Sequence, residues 1–303
     1  MDLPTPLERA PGGLYDGLAL FLKREDTHEL GAFKWRGALP TIQVYKARGA
    51  AAVVTASTGN HGAAVAWASQ RLGLRAMVYA PAGASLAKLA LIDGLGAEIR
   101  LAGTDLDFAK DEGKHFAAEA HVPFFEDGVE PAQFEGYGAI ADEILDQAPE
   151  PPAAVVVPVG NGALIGGIGR AIERRSPATL VIGVAAKEAP VMALSFEACR
   201  PVESDRMATF ADGLAVRVAI PGAVELVNAV VDRMLLVSER EMAHAVGAYA
   251  RAGIRVEGAA ASALAALPQL SGLEGPVVLV VTGRNIDEDL YRRAVERPET
   301  FPE

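Results

Sequence analysis

The segment AAVVVPVGNGALIGGIG occupies residues 153–169 and joins a strongly apolar run to a glycine-rich turn. The run Ala154–Val159 has the length of a buried β-strand, and apolar residues at helical spacing follow the turn. The first N–H groups of a helix have no partner inside it and lie at its positive end, so such a turn can bind an anion such as phosphate. The segment therefore predicts a strand–turn–helix unit, with a candidate phosphate-binding loop at residues 160–164.

The same alternation of short β-branched runs and longer alanine-rich segments continues along the chain. The predicted strands are Leu18–Lys23, Ala52–Ala56, Arg75–Ala80, Glu98–Leu101, Ala154–Val159, Leu180–Ala185, Met234–Val237 and Val277–Thr282. The predicted helices are Gly62–Leu72, Ser85–Gly94, Phe134–Asp146, Glu239–Ala252 and Ala259–Leu267. Strands that alternate with helices in this way are typical of mainly parallel sheets with helices on both faces, so the pattern predicts an α/β fold.

Composition narrows the class of protein. The chain has 303 residues, of which 50% are hydrophobic, and its net charge is −11. This apolar share is enough for a large core, while the acidic balance disfavours nucleic acid or an anionic membrane surface as a partner. The single cysteine, Cys199, cannot form an internal disulfide, and neither a long apolar stretch nor a secretion signal is apparent. We therefore expect a cytoplasmic protein that acts on a small molecule.

Three further polar segments are candidates for a site. In GAFKWRGA (residues 31–38), two aromatic residues flank Lys34, and a partly desolvated lysine can act as a nucleophile. From this segment alone, a solvated Lys34 between buried aromatic residues is the simpler interpretation. TASTGNHG (residues 55–62) and VTGRNID (residues 281–287) each follow the end of a predicted strand, which is where open α/β sheets bind ligands.

Several familiar sites are missing from the sequence. A GxGxxG dinucleotide motif that starts at Gly160 requires glycine at position 165, which is Ile165. No GxxxxGK[ST] phosphate loop, HExxH metal motif or GxSxG nucleophile elbow occurs. The residues therefore favour a phosphate ligand that is not a dinucleotide, and they predict no metal site.

In this order, the segments resemble the fold-type II family of pyridoxal-phosphate (PLP) enzymes. The resemblance extends from residues 5–7 to residues 285–287. Its parts are a cofactor-lysine segment (residues 23–26 and 31–38), an asparagine loop (residues 57–62), a phosphate loop (residues 160–164) and a segment typical of the dehydratase branch (residues 211–216). The resemblance implies two open, mainly parallel twisted sheets flanked by helices, as in the β subunit of tryptophan synthase.

The resemblance also implies a role for each candidate residue. The implied cofactor-binding residues are Phe33, Lys34, Asn60, Gly160, Asn161, Gly162, Ala163, Leu164 and Thr282. Lys34 would hold PLP as a Schiff base and act as the base at the substrate Cα, while Phe33 would pack against the pyridine ring. Asn60 would bind the 3′ oxygen of the ring, residues 160–164 the phosphate, and Thr282 the pyridine nitrogen. The substrate carboxylate would be bound by Ser57, Thr58, Asn60 and His61.

The branch of the family is less sharply marked. Residues 59–62, 211–216 and 283–287 are similar to threonine and serine dehydratases, whereas residues 57–60, residues 256–260 and Thr282 are similar to threonine synthase. A neutral hydroxyl at Thr282 makes the ring a weaker electron sink than a carboxylate would, which favours elimination. We expect β-elimination from L-threonine or L-serine to a 2-oxo acid and ammonia, with threonine synthase as the alternative. A racemase is less favoured, since its acidic metal ligands would align near Ala185 and Val191.

The resemblance implies a domain organisation as well. Residues 1–36 and 131–303 would form a large PLP-binding domain, and residues 37–130 a small mobile domain inserted in it. The catalytic core would use the whole length of 303 residues, which leaves no room for an appended regulatory domain. A homodimer is the usual assembly of the family.

Overall fold

The structure is a computed structural model that describes residues 4–15, 17–84 and 86–303. The described residues form nine strands: β1 (Leu7–Arg9), β2 (Ala19–Arg24), β3 (Ala52–Ala56), β4 (Arg75–Ala80), β5 (Glu98–Leu101), β6 (Ala154–Pro158), β7 (Leu180–Ala186), β8 (Arg233–Val237) and β9 (Pro276–Val281). They also form eleven α-helices: α1 (Trp35–Ala47), α2 (Asn60–Leu72), α3 (Leu86–Gly94), α4 (Leu106–Glu119), α5 (Pro131–Gln147), α6 (Ala163–Arg175), α7 (Val191–Ala198), α8 (Pro221–Val230), α9 (Glu239–Arg251), α10 (Gly258–Ala265) and α11 (Glu288–Glu296).

The chain divides into two compact units. The outer unit comprises Met1–Phe33 and Tyr137–Glu303, and the inserted unit is the continuous stretch Lys34–Gly136. The boundaries therefore fall after Phe33 and after Gly136, where the sequence analysis placed them after residues 36 and 130. Lys34 is thus the first residue of the inserted unit.

The outer unit is built on a six-stranded sheet with the strand order β1-β2-β9-β6-β7-β8. All neighbouring strands are parallel except β1, which pairs antiparallel with β2. Every residue of β6 and β9 is buried, as expected for central parallel strands that are covered on both faces. Because the strands are parallel, the loop after β6 and the turn after β9 leave the sheet at the same edge.

The inserted unit contains a smaller sheet in which β3, β4 and β5 are parallel and adjacent in that order. Part of its core consists of residues from β3, β4 and α4, among them Val54, Met77 and Ala109. α2 begins directly beyond the carboxyl end of β3, so the polar segment between them is held at the edge of this sheet.

The structure confirms the predicted α/β class with two mainly parallel sheets flanked by helices. The three strands of the inserted unit have the predicted bounds. β1 was not predicted, because it is only three residues long, is partly or fully exposed, and lacks the apolar pattern of a buried strand. The predicted helix start at Ser85 lies outside the described residues. Within the described ranges, no helix is both long and apolar enough to span a bilayer.

Candidate active site

The predicted site residues divide between the two units. The outer unit contains Phe33, Gly160, Asn161, Gly162, Ala163, Leu164 and Thr282, and the inserted unit contains Lys34, Ser57, Thr58, Asn60 and His61. Because Phe33 and Lys34 are consecutive in the chain, the boundary between the units passes through the predicted cofactor-lysine segment.

The predicted phosphate loop connects β6 to α6 and packs closely on its surroundings in the outer unit. Gly162 has φ of 86°, in the left-handed region that favours glycine. A Cβ atom on Gly162 would lie 2.9 Å from side-chain atoms of Met192 and Val227. A Cβ atom on Gly160 would lie 2.3 Å from the carbonyl oxygen of Gly213. Both positions therefore have no room for a side chain, and Gly162 also needs the conformational freedom of glycine.

The backbone of this loop presents N–H groups to an anion. Gly162 is the N-cap residue of α6, so the following N–H groups belong to the first turn of a helix and have no acceptor inside it. One of them, the N–H of Ala163, donates to Oδ1 of Asn161 at 3.1 Å. The Asn161 side chain thus occupies one donor that the family resemblance assigns to phosphate, and it must share or release that donor when an anion binds.

Thr282 lies directly after β9 and is only 2% exposed. Its carbonyl oxygen accepts a hydrogen bond from the N–H of Phe33 at 3.0 Å. Its Oγ1 atom is buried and has no hydrogen-bond partner among the residues that the structure describes. An unsatisfied buried polar group costs about 1–3 kcal/mol, so the hydroxyl is expected to meet a polar atom of a ligand.

Phe33 and Glu257 lie beside this turn in the outer unit. The ring of Phe33 packs against Tyr137 with 5.1 Å between ring centroids. The N–H of Glu257 donates to the carbonyl oxygen of Gly283 at 3.0 Å, and a Cβ atom on Gly283 would be 2.8 Å from Oε1 of Glu257. Glu257, which is 3% exposed, therefore lies against the residue after Thr282. Glu257 was not among the predicted site residues.

Lys34 lies at the start of α1, where it is the N-cap residue, and its side chain is 16% exposed. Its Nζ atom donates a hydrogen bond to Oδ2 of Asp127 at 2.6 Å and forms an ion pair with it. Asp127 was not among the predicted site residues. The predicted cofactor lysine is therefore held in the inserted unit by a carboxylate that sequence reasoning had not identified.

Ser57, Thr58, Asn60 and His61 lie around the start of α2, whose first residue is Asn60. Oγ of Ser57 accepts a hydrogen bond from the N–H of Gly59 at 3.2 Å and thereby shapes the turn into the helix. The first-turn N–H groups of α2 have no acceptor inside the helix and carry its partial positive charge. This helix start can therefore bind a carboxylate.

The hydrogen bonds of His61 define which ring nitrogen carries its proton. Oγ1 of Thr55 donates to the carbonyl oxygen of Phe125 at 2.7 Å, so its only hydrogen is already used. Nε2 of His61 lies 3.1 Å from the same Oγ1 and must donate to it. Burial lowers the pKa of His61 despite the negative charge of Asp127 nearby. We therefore assign the neutral ring with the proton on Nε2, which leaves Nδ1 as an acceptor.

Asp127 reaches this site because a short segment runs beside β3. The N–H of Val54 donates to the carbonyl oxygen of Pro123 at 2.9 Å, and the N–H of Phe125 donates to that of Val54 at 2.7 Å. The segment is parallel to β3, so the residues after Phe125 emerge at the same edge as the residues after β3. Asp127 thus meets Lys34 although 93 positions separate them in the chain.

Gln133 fixes the orientation of the Asp127 carboxylate. Gln133 is fully buried; its Nε2 donates to Oδ1 of Asp127 at 2.5 Å and its Oε1 accepts from the N–H of Gly128 at 2.7 Å. Burial alone would raise the pKa of Asp127, but the Lys34 ammonium, together with the hydrogen bond from Gln133, holds it well below its usual range. Asp127 is therefore a fixed negative charge.

No local signal in the sequence marks Asp127 or Gln133. Asp127 stands in a polar loop followed by Gly128, a pattern that is typical of any surface turn. Gln133 lies in the first turn of α5, where a polar residue is ordinarily solvated. Their importance follows only from the placement of the segment beside β3.

The positions to which the racemase-type metal ligands would align carry no ligand groups. Ala185 and Val191 are both fully buried and apolar. In the described part of the chain, no cluster of three or more His, Cys, Asp or Glu side chains is arranged to hold a metal ion.

The residues of each unit fit PLP. In the outer unit, the buried Thr282 hydroxyl, which has no partner in the described part of the chain, suits the pyridine nitrogen, and the helix-start loop at residues 160–164 suits the phosphate. In the inserted unit, Lys34 supplies the amine to which the cofactor aldehyde can be attached.

Curated relatives of the chain are named as threonine ammonia-lyases and threonine dehydratases. The chain is 35% identical over 286 residues to L-threonine ammonia-lyase of Geobacter sulfurreducens, covering 93% of this chain and 71% of the relative. It is 36% identical over 280 residues to the catabolic L-threonine dehydratase TdcB of Staphylococcus aureus, covering 88% and 79%.

Solved structures of similar enzymes share the fold. The processed form of threonine deaminase isoform 2 from Solanum lycopersicum matches with a TM-score of 0.90 at 28% identity, over 97% of this chain and 88% of that one. Maize serine racemase matches with a TM-score of 0.90 at 26% identity, over 98% and 93%. The profile of the pyridoxal-phosphate dependent enzyme family matches residues 2–283. The chain therefore belongs to the family of pyridoxal-phosphate dependent enzymes.

Proposed function

We propose that the protein is an ammonia-lyase that converts a small hydroxy amino acid, L-threonine or L-serine, into a 2-oxo acid and ammonia. The observation that carries this proposal is the buried Thr282 hydroxyl, for which the described residues provide no hydrogen-bond partner. A neutral hydroxyl opposite the pyridine nitrogen keeps that nitrogen from being held as a cation, which favours loss of a β-substituent over reactions that need a long-lived carbanion. The names of the relatives from Geobacter sulfurreducens and Staphylococcus aureus support the same reaction.

Each implied cofactor residue has its own task. Lys34 would bind it covalently through Nζ, residues 160–164 its phosphate, Phe33 and Asn60 its ring and 3′ oxygen, and Thr282 its ring nitrogen. When bound, PLP supplies the electron-withdrawing group that takes up the electron pair released at the substrate Cα.

Lys34 would move the proton in this reaction. Nζ of Lys34 would remove the proton from Cα of the bound substrate. The β-hydroxyl then leaves with one proton as water, and hydrolysis returns one water, so L-threonine yields 2-oxobutanoate and ammonia with no net change in oxidation state.

The start of α2 would bind the substrate carboxylate. Ser57, Thr58, Asn60 and His61 supply hydroxyl, amide and backbone N–H groups, and the positive end of the helix favours a negative charge. Because His61 is assigned as neutral with its proton turned towards Thr55, its side chain contributes no positive charge of its own to this binding.

The domain and assembly predictions also remain proposals. The small domain around residues 37–130 is expected to move on substrate binding, and the protein is expected to be a cytoplasmic homodimer, as is usual in the family. Light scattering of the purified protein with and without PLP would measure the mass of the assembly.

The proposed function is tested with purified protein that has been loaded with PLP. We expect a visible absorption band from the lysine-bound cofactor and the release of 2-oxobutanoate from L-threonine, measured by coupling to NADH oxidation. Lys34→Ala removes the only amine assigned to the cofactor, so both signals should be lost.

Lys46→Ala is the matched control, because Lys46 is also in the α1 segment but its Nζ atom donates to the carbonyl oxygen of Leu72 at the surface. This variant should keep both the absorption band and the activity. Turnover of phosphohomoserine to threonine, without release of 2-oxobutanoate from L-threonine, would refute the lyase assignment in favour of threonine synthase.

A further inference from the structure

Asp127 is a charged residue in contact with the reacting amine, and no role has been assigned to it so far. Its Oδ2 atom lies 2.6 Å from Nζ of Lys34, and the two side chains are 27% and 16% exposed. We propose that Asp127 is a positioning residue that holds the charged amine of Lys34 whenever this amine is not bonded to the cofactor. The inference extends the proposed function, since it rests on Lys34 as the residue that removes the Cα proton.

The carboxylate is placed for this task independently of Lys34. Nε2 of Gln133 donates a hydrogen bond to Oδ1 of Asp127, and the N–H of Gly128 donates to Oε1 of Gln133 and fixes its orientation. Oδ2 is therefore expected to keep its orientation while the amine of Lys34 is bonded to the cofactor. A carboxylate held only by Lys34 would rotate away once the amine had reacted.

His61 does not compete for this charge. Its Nδ1 atom lies 3.6 Å from Oδ1 of Asp127, but its proton is on Nε2, where it is donated to Thr55. Nδ1 therefore presents a lone pair to the carboxylate rather than a proton. Lys34 therefore supplies the positive charge that pairs with the Asp127 carboxylate, while Gln133 provides a neutral hydrogen bond.

The start of α1 favours an anion near Lys34. Lys34 is the N-cap residue of this helix, and the N-terminus of a helix carries a partial positive charge that opposes a cation. Asp127 offsets this repulsion. Because its pKa lies well below the usual range, Asp127 stays ionised at neutral pH and acts as a charge rather than as a proton acceptor.

The ion pair has opposite effects on two steps. Before the cofactor can bind covalently, Nζ of Lys34 must leave Oδ2 of Asp127 in order to attack the aldehyde, so the hydrogen bond and ion pair between them must be broken. During catalysis, Nζ gains a proton from Cα and becomes charged, and the ion pair stabilises this product. A carboxylate at this place is therefore expected to slow capture of the cofactor and to speed the proton transfer.

The test is Asp127→Asn, which removes the charge and keeps the size of the side chain. A hydrogen bond to a charged group contributes about 1.5–3 kcal/mol, so we expect effects of about tenfold or more. Stopped-flow mixing of the cofactor-free variant with PLP at pH 7 should show faster growth of the visible band than the wild type. In the loaded variant, kcat for the amino acid should fall by at least about tenfold with KM nearly unchanged.

Opposite changes in these two readouts distinguish the proposal from a structural role. Damage to the fold would slow both capture and turnover, and thermal unfolding of each variant would reveal it. Asp127→Glu retains the charge and should remain close to the wild type in both measurements. Capture by a folded Asp127→Asn variant that is unchanged or slower would refute the proposal.

Glu126→Gln provides the matched control. Glu126 is the neighbouring carboxylate, but it pairs with Lys110 and Lys114 on α4 and not with Lys34. Its replacement should leave both readouts at wild-type values, and a change equal to that of Asp127→Asn would show that only the overall negative charge matters. If no hydroxy amino acid is turned over even by the wild type, the proposed function fails, while the capture measurement still decides the role of Asp127.

Discussion

Replacement of Gly160 by alanine tests the predicted phosphate loop. A Cβ atom at this position would lie 2.3 Å from the carbonyl oxygen of Gly213, whereas contacts below 3.0 Å are essentially never seen. The opposing atom belongs to the backbone of the 3-10 turn Asp212–Leu214, so it cannot rotate aside as a side chain would. The loop and the turn must therefore separate by at least about 0.7 Å, the difference between these two distances.

A displacement of this size weakens the binding of an anion. Hydrogen bonds from N–H groups extend to about 3.2 Å, so a shift of the loop backbone moves at least one donor out of range. The loss of one hydrogen bond to a charged group costs about 1.5–3 kcal/mol, which corresponds to roughly ten- to hundredfold weaker binding of the cofactor. Overpacking should also lower the free energy of unfolding by about 1–3 kcal/mol.

The assay is a titration of cofactor-free protein with PLP, followed by visible absorbance, together with urea unfolding of the same preparation. Gly222→Ala serves as the control, because Gly222 lies in the first turn of α8 and a Cβ atom there would meet no atom within 4 Å. This control should bind the cofactor normally and gain up to about 1 kcal/mol in stability. If Gly160→Ala binds PLP as tightly as the wild type, the loop at residues 160–164 does not hold the phosphate.

Two further predictions concern buried polar groups of the outer unit. Thr282→Val should raise the free energy of unfolding of the cofactor-free protein by about 1 kcal/mol, because it removes a buried hydroxyl for which the described residues provide no partner. In the loaded protein, the same substitution should alter the visible band and lower kcat. Equal destabilisation with and without PLP, measured by urea unfolding, would contradict this. Burial raises the pKa of Glu239, so the free energy of unfolding should fall as pH rises above the unfolded-state value of about 4.3, because the carboxyl then ionises in the unfolded chain while the folded protein still holds the proton. Glu239→Gln cannot ionise and should show a smaller decline, so parallel pH profiles of the two proteins would refute this assignment.

The sequence alone predicted those parts of the molecule whose causes are local. β3 and β4 have the predicted bounds because each is a short, mostly buried parallel strand with a continuous apolar run. β5 also has the predicted bounds, although its residues are partly or fully exposed. The prediction of a PLP enzyme is confirmed by the family profile over residues 2–283. This prediction was possible because four motifs that occur in the same order leave few alternatives. The assignment of individual residues to the cofactor and substrate remains a prediction.

The Lys34–Asp127 pair could not be predicted, because its cause is not local. The contact depends on the segment around Phe125 running parallel to β3, and this pairing depends in turn on hydrogen bonds of Val54 that leave no trace in the sequence pattern. Similarly, only the folded structure shows that the described residues provide no partner for the Thr282 hydroxyl. Sequence motifs thus identify the cofactor, whereas the electrostatic surroundings of its lysine require the fold.

The strand order of the outer unit has a consequence for how the chain folds. β2 pairs along its whole length with β9, from Ala19 opposite Pro276 to Arg24 opposite Val281. During synthesis, β2 therefore cannot pair with β9 until nearly all of the remaining chain has been made. The inserted unit has only the adjacent strands β3, β4 and β5 to pair, and it can fold long before then. In newly made chains, the edge of β2 that pairs with β9 is therefore expected to stay unpaired until β9 has been made, and an unpaired strand edge favours aggregation.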